Sequence, residues 1–324
     1  MKSMSPIPAI LAILLALPAA VLAQPRDFPQ RPIRIIVPVP PGGSVDATAR
    51  VLAPKLSESL GQSVVIDNRG GASTNIGMEM VARAPADGYT LLANTAPLVA
   101  NPALFPKLAF SPEKDFAPLS LVVTGPSVVV AHPSVPVTNL AGLIALAKAK
   151  PGSINYSSSG AGTLTHLGAE LFKYLSGTNI VHVPYKGGGP ALAAVMAGEI
   201  DITFQTPLAA AGQIKAGRLR ALAVTAHKRL AMLPEVPTTG ESGMPKYEFQ
   251  SWVGLLAPAG TPPAVLRLLN EHIVKAARTP DVAERFAREG ADVVAGSAEQ
   301  FRKVISDETA LWGKVIREMG IKAE

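Results

Sequence analysis

Apolar runs of strand length alternate with helix-length amphipathic stretches from Ile33 almost to the end of the chain. That alternation constrains the fold most. Strands linked through helices return parallel to one another, in a sheet covered on both faces. IRIIVPV, SVVIDN, YTLLANT and FAPLSLVV read as strands in the first part of the chain. INYSS, NIVHVPY, EIDITFQT and LRALAVTA follow in the middle, and SWVGLLAP near the end. Apolar residues at 45, 49, 52, 56 and 60 predict a helix that stops at Gly61 and is kinked at Pro54. Thr138 is expected to cap NLAGLIALAKAK, and Thr163 to cap LTHLGAELFKYLSG, whose Leu164, Leu167, Leu171 and Leu175 share a face. Pro190 and Pro207 are expected to open two more helices, and three helical stretches close the chain. The pattern predicts a parallel, doubly wound α/β layout, and a chain of this size readily divides in two.

The first residues bear on compartment. Met1 to Ala23 holds one charge, Lys2, then an uncharged, mostly apolar stretch ending in Val21-Leu22-Ala23. This reads as a secretory signal peptide cut near Ala23, since three prolines and a short apolar span argue against a membrane anchor. Removing those 23 of 324 residues leaves 301, and losing Lys2 takes the formal charge from +6 to +5. No later segment approaches the roughly 18 uninterrupted apolar residues of a membrane span. The absence of cysteine excludes disulfides, thiolate metal sites and cysteine nucleophiles. Few aromatic residues and a dispersed positive charge argue against a nucleic-acid partner.

Two turns stand out. VPVPPGGSVDATAR, residues 37–50, runs from strand through glycine to helix start, and YSSSGAGTLTH, residues 156–166, repeats the layout. Each turn would direct backbone N–H groups and a helix N-terminus at one spot, beyond the carboxyl ends of the strands. The spacing matches neither the phosphate-loop nor the dinucleotide fingerprint. Neither turn proper, Pro40 to Asp46 or Ser157 to His166, holds Lys or Arg, which a polyphosphate would call for, so a small carboxylate is the expected anion. Valine at Gly43 is expected to restrict φ and to crowd the carboxylate.

The segments RPIRIIVPVPPGGSVDATAR, NRGGASTNIG, PADGYTLL, KDFAPLSLV, HVPYKGGGPAL, IKAGRLRALAVT and GLLAPAGTP follow one another in an order that resembles the Bug family. These are the periplasmic binding proteins of tripartite tricarboxylate transporters, and the resemblance covers essentially the whole chain after the leader. It implies a type II periplasmic binding protein fold, two doubly wound α/β lobes joined by two crossover segments. The lobes would be residues 24–125 with 251–324, and 126–250. It implies a monomer in the periplasm, without cofactor or metal, that delivers a small carboxylate to a two-subunit inner-membrane permease. By this resemblance the ligand sits on Val39, Pro41, Gly42, Gly43, Ser44 and Asp46. Thr95 and Ala96 line the cleft, and Ser158, Ser159, Gly160, Gly162, Thr163, His166, Tyr185 and Lys186 close it from the second lobe. Family members often carry an aromatic residue at Val39 and Phe-Asp-Asn at Phe204-Gln205-Thr206. A neutral Gln205 cannot balance an ammonium group, which argues against amino acid ligands and for a di- or tricarboxylate or an aromatic acid.

Other classes fit less well. Ser157 to Ser159 with His166 suggest a hydrolase, but no nucleophile elbow is present. His166 is expected at the cleft edge, His182 as a satisfied strand histidine, and Asp46 as a helix-dipole partner. His132, His227 and His272 show no metal-ligand spacing. Presenting a ligand to a membrane sensor kinase is the alternative to transport. Trp252 is expected beside the second crossover and Trp312 away from it.

Overall fold

The computed structural model describes residues 28–105, 107–288 and 290–322, so the expected leader lies outside the described residues. The first part of the chain forms β1 (Ile33–Val37), α1 (Ser44–Leu60), β2 (Val64–Asn68), α2 (Asn75–Ala82), β3 (Thr90–Asn94), α3 (Pro97–Leu104), α4 (Pro112–Asp115) and β4 (Phe116–Pro126). The middle forms β5 (Val128–Ala131), α5 (Leu140–Ala149), β6 (Asn155–Ser158), α6 (Leu164–Ser176), β7 (Val181–Pro184), α7 (Gly188–Met196), β8 (Ile202–Gln205), α8 (Pro207–Lys215) and β9 (Arg220–Val224). The last part forms β10 (Gln250–Pro258), α9 (Pro263–Ala277), α10 (Pro280–Arg288), β11 (Asp292–Val293) and α11 (Ala298–Met319).

The strands make a six-stranded sheet, β11-β4-β10-β3-β1-β2, and a five-stranded sheet, β7-β6-β8-β5-β9. Only part of each sheet is parallel, which corrects the all-parallel expectation. β1 runs parallel to β2 and β3, and β6 to β7 and β8. β10 is antiparallel to β3 and β4, and β5 to β8 and β9. The exceptions flank the passages between sheets. β4 leads out at Pro126 and β10 enters at Gln250, and these two residues pair. A strand leading out and a strand leading back must run in opposite directions when they lie side by side.

Local rules account for most elements. Val45, Ala49, Leu52 and Leu56 are buried on α1, and Gly61 ends it in left-handed backbone. Pro54 is exposed and does not interrupt the helix, because its missing donor falls on the solvent side. α5 is capped by Asn139, not Thr138: the Asn139 side chain accepts from Gly142 N–H at 2.8 Å. α7 begins at Gly188, two residues before Pro190. On α6, Leu167 and Leu171 are buried but Leu175 is 36% exposed, one turn past the packed surface.

One core cluster reaches both sheets, from Leu92 and Leu98 through Phe172 and Phe204 to Trp312. α11 carries this continuity. Trp312 meets Phe249 edge-on at 6.0 Å, and Glu318 accepts from the Tyr174 hydroxyl at 2.7 Å. Trp312 is therefore not remote from the second passage. Trp252 Nε1 donates to Glu308 at 2.8 Å, and the Trp312 indole bonds the same carboxyl. The two indoles share one buried acid because α11 packs on α3 and β4, which brings its side chains to Trp252 of the neighbouring β10, and strand and helix periodicity do not reveal this.

Candidate functional site

The carboxyl ends of β1 and β6 each run into a glycine turn and then a helix. In both turns the third helical residue reaches back to a glycine amide four residues earlier. Asp46 Oδ2 accepts from Gly42 N–H at 2.9 Å, and His166 Nδ1 accepts from Gly162 N–H at 3.1 Å. Both glycines need left-handed backbone, with φ of 96° at Gly42 and 73° at Gly162. These two amides are therefore not available to a ligand. The amides of Ser44, Val45, Leu164 and Thr165 have no acceptor among the described residues, as the first turn of a helix dictates.

Asp46 is 3% exposed. It also accepts from Asn68 Nδ2 at 2.9 Å and from Arg50 Nε at 2.9 and 3.0 Å. Burial pushes its carboxyl up, but the Arg50, Gly42 and Asn68 hydrogen bonds outweigh this and hold it below its ordinary value. Asp46 thus adds a second role to the dipole partnership: it ties the turn to the end of β2. Asn68 completes the tie by donating to Val39 O at 3.0 Å.

The second turn is anchored from within. Ser158 Oγ accepts from Gly160 N–H at 3.1 Å and lies 2.6 Å from His182 Nε2. Ser159 N–H donates to Thr165 Oγ1, and the Thr163 hydroxyl donates to Gly160 O at 2.6 Å. Thr163 thus caps α6 through extended backbone while its hydroxyl closes the turn. His166 is 3% exposed and stacks on His182 with ring centroids 4.3 Å apart, so it lies behind the turn and not at a cleft edge. Burial first, and Lys173 second, lower its pKa to about 4. His182 is lowered to about 4 by burial and by His166. Both rings are neutral at neutral pH, and His166 Nδ1 must be unprotonated to accept the Gly162 N–H. Behind them Tyr156 donates to Glu170 at 2.5 Å, and Lys173 pairs with the same carboxylate at 2.7 Å.

The remaining expected residues divide. Tyr185 joins the second turn, its amide donating to Ser158 O at 2.9 Å. Pro41, Gly43 and Ser44 are exposed on the first turn, with Val39 half-buried beside them. Lys186 is exposed and has no partner among the described residues. Thr95 is half-buried, whereas the Ala96 side chain lies in the core at 3% exposure, because it caps α3. Gln205 is 4% exposed and donates to Thr203 Oγ1 at 3.1 Å. The second turn is joined to the loop between β2 and α2 by residues outside the expected set. Ser73 Oγ donates to Ala161 O at 3.0 Å, and Asn101 Nδ2 donates to Ser73 O at 2.7 Å. The one sequence signal for Ser73 is the glycine-rich run RGGAST at 69–74, and Asn101 has none.

Gly43 has φ −78°, and a Cβ there would meet only Val39 Cγ2 at 3.8 Å, so valine at Gly43 is not restricted in φ. The backbone demand falls on Gly42. Gly42→Val is expected to cost about 1–2 kcal/mol of stability, and Gly43→Val less than about 0.5 kcal/mol. Urea unfolding of both variants tests this, and the reverse order would contradict the turn geometry.

The family model described as the tripartite tricarboxylate transporter family receptor matches residues 48–321. BugT of Bordetella pertussis is 41% identical over 297 residues, covering 91% of this chain and 91% of its own. An R. palustris protein solved with adipate is 36% identical, with a TM-score of 0.84 over 92% of this chain and 100% of its own. MatC from Rhodopseudomonas palustris, solved with bound malate, is 30% identical, with a TM-score of 0.81 over 89% of this chain and 100% of its own.

Proposed function

The chain belongs to the tripartite tricarboxylate transporter receptor family, and on that premise we propose that it captures a small organic acid between its two glycine turns and hands it to a membrane permease. The supporting observation is the pair of helix N-termini at the carboxyl ends of β1 and β6, with four first-turn amides that have no acceptor among the described residues and no Lys or Arg at 40–46 or 157–166. Helix N-termini favour anions, each by about 0.3–1 kcal/mol and up to ~2 kcal/mol when partly buried. A carboxylate suits such donors without a metal or an arginine fork.

The lobes are residues 24–125 with 251–324, and 126–250. The hinge lies where β4 and β10 pair at their ends, at Gly125–Pro126 and Gln250–Ser251. The protein works in the periplasm after loss of Met1 to Ala23. Ligand-bound relatives make dicarboxylates the first acids to try: one neighbour holds adipate and another malate. The buried, neutral Gln205 and the aliphatic Val39 leave room for a larger acid and offer no counter-charge to an amino acid.

The test is thermal shift followed by calorimetry against mono-, di- and tricarboxylates, with sulfate and an uncharged diol as controls. A cognate acid at 100 times its Kd is expected to stabilise by about 2.7 kcal/mol. Stabilisation by sulfate equal to that of every acid would reduce the site to a nonspecific anion trap, and no response to any acid would remove the carboxylate reading.

A further inference from the structure

Between β2 and α2, three consecutive side-chain-bearing residues take left-handed backbone: Ala72 with φ 46°, Ser73 with 51° and Thr74 with 74°. Such a run persists only where its surroundings over-determine it, and β-branched Thr74 is the least suited of the three. The hydroxyl of Thr74 is moreover buried without a partner. Inside the loop one backbone hydrogen bond, from Asn75 N–H to Ala72 O at 3.0 Å, offsets only part of this strain.

The reward lies across the molecule. Asn101, wholly buried on α3, donates to Ser73 O at 2.7 Å and to Asn75 Oδ1 at 2.8 Å, which fixes the loop. The loop in turn presents Ser73 Oγ to Ala161 O in the second glycine turn. Gly162 comes down on the same helix: a Cβ there would lie 2.9 Å from Asn101 Oδ1 and 3.0 Å from Leu104 Cδ1. Asn101 Oδ1 itself has no hydrogen-bond partner. A buried acceptor left unpaired beside a bare Cα is unfavourable for Asn101 alone. It is accounted for if Asn101 serves to seat Ala161 and Gly162.

We propose that Ser73 and Asn101 are positioning residues that set ligand affinity by latching the second glycine turn onto the first unit, fixing the separation of the α1 and α6 N-termini. The proposal rests on the two-lobe capture reading above. A latch made across the lobes holds the closed form and must be broken for opening. It therefore slows ligand release and leaves the encounter step alone.

The chain has no cysteine, so Ser63→Cys and Lys215→Cys, at exposed outer ends of the two units, take a clean pair of spin labels. Pulsed electron resonance is recorded with and without adipate, and adipate kinetics by stopped flow. In the ligand-free labelled parent, a closed distance population is expected. Ser73→Ala should deplete it and speed adipate release about fivefold, the worth of one neutral hydrogen bond, with association unchanged. Ser73→Gly, which removes the hydroxyl but relaxes the backbone, should do the same. Thr74→Gly, which relaxes the backbone and keeps the hydroxyl, should raise the melting temperature and leave release unchanged. Unaltered distances in both Ser73 variants, or slower association in place of faster release, would overturn the latch. If neither adipate nor malate binds the parent, the proposed ligand class falls, and the ligand-free distances decide the latch without it.

Discussion

Gly162→Ala is expected to destabilise the protein by about 3 kcal/mol and to weaken carboxylate binding at least tenfold. Two effects add. A φ of 73° costs an alanine about 1–2 kcal/mol. The new methyl would also press on Asn101 Oδ1 at 2.9 Å and Leu104 Cδ1 at 3.0 Å, and Asn101 cannot yield because it is wholly buried and already holds Ser73 and Asn75. Overpacking of this kind costs about 1–3 kcal/mol. Gly177→Ala is the control: φ is 63°, and a Cβ there meets nothing within 4 Å. Urea unfolding should show the control losing only the conformational part. Equal losses in the two variants would mean that the second turn is not seated on α3.

The second large effect concerns pH. Burial raises the Glu308 carboxyl to about 7, against the opposing hydrogen bonds from Trp252 and Trp312. A folded pKa above the unfolded value means that the folded state holds the proton more tightly. The stabilisation is complete below the unfolded value, near 4.5, and is lost as pH rises through 7. The span corresponds to about 3 kcal/mol. Glu308→Gln keeps an acceptor for the indoles without a charge, so its stability relative to the parent should rise by about 3 kcal/mol between pH 4.5 and 8. Urea unfolding over that range measures the difference. A flat difference would place Glu308 in contact with water. His166 and His182 act with the opposite sign: each pKa is lowered to about 4, so their contribution is present above about 6.5 and is lost as pH falls toward 4. The parent profile sums the acid and histidine slopes, which is why the variant difference is the informative quantity.

Both glycine turns were legible in the chain because strand ends, small residues and helix starts are local features. Even the internal ties were written there: Gly42 to Asp46 and Gly162 to His166 have the same spacing. The consequence was harder to read. The spacing shows that a side chain can return to a glycine amide, but not that it removes that amide from the ligand's reach. The expected restriction of φ at Gly43 fails for a related reason. Adjacent glycines look alike in sequence, and only the backbone angles show that Gly42 carries the left-handed residue of the turn.

The order of elements, the helix stops at Gly61 and Gly177, and the apolar faces of α1 and α6 follow from propensity and period, which act over a few residues. The family resemblance needs no more than ordered motifs. What tertiary structure decided lies at long range. The antiparallel β4 and β10, the acid shared by Trp252 and Trp312, the stacked histidines and the bond from Ser73 to Ala161 join residues far apart in the chain. Such contacts carry no period and no fixed spacing. They exist only once the sheets have packed through α3, α6 and α11.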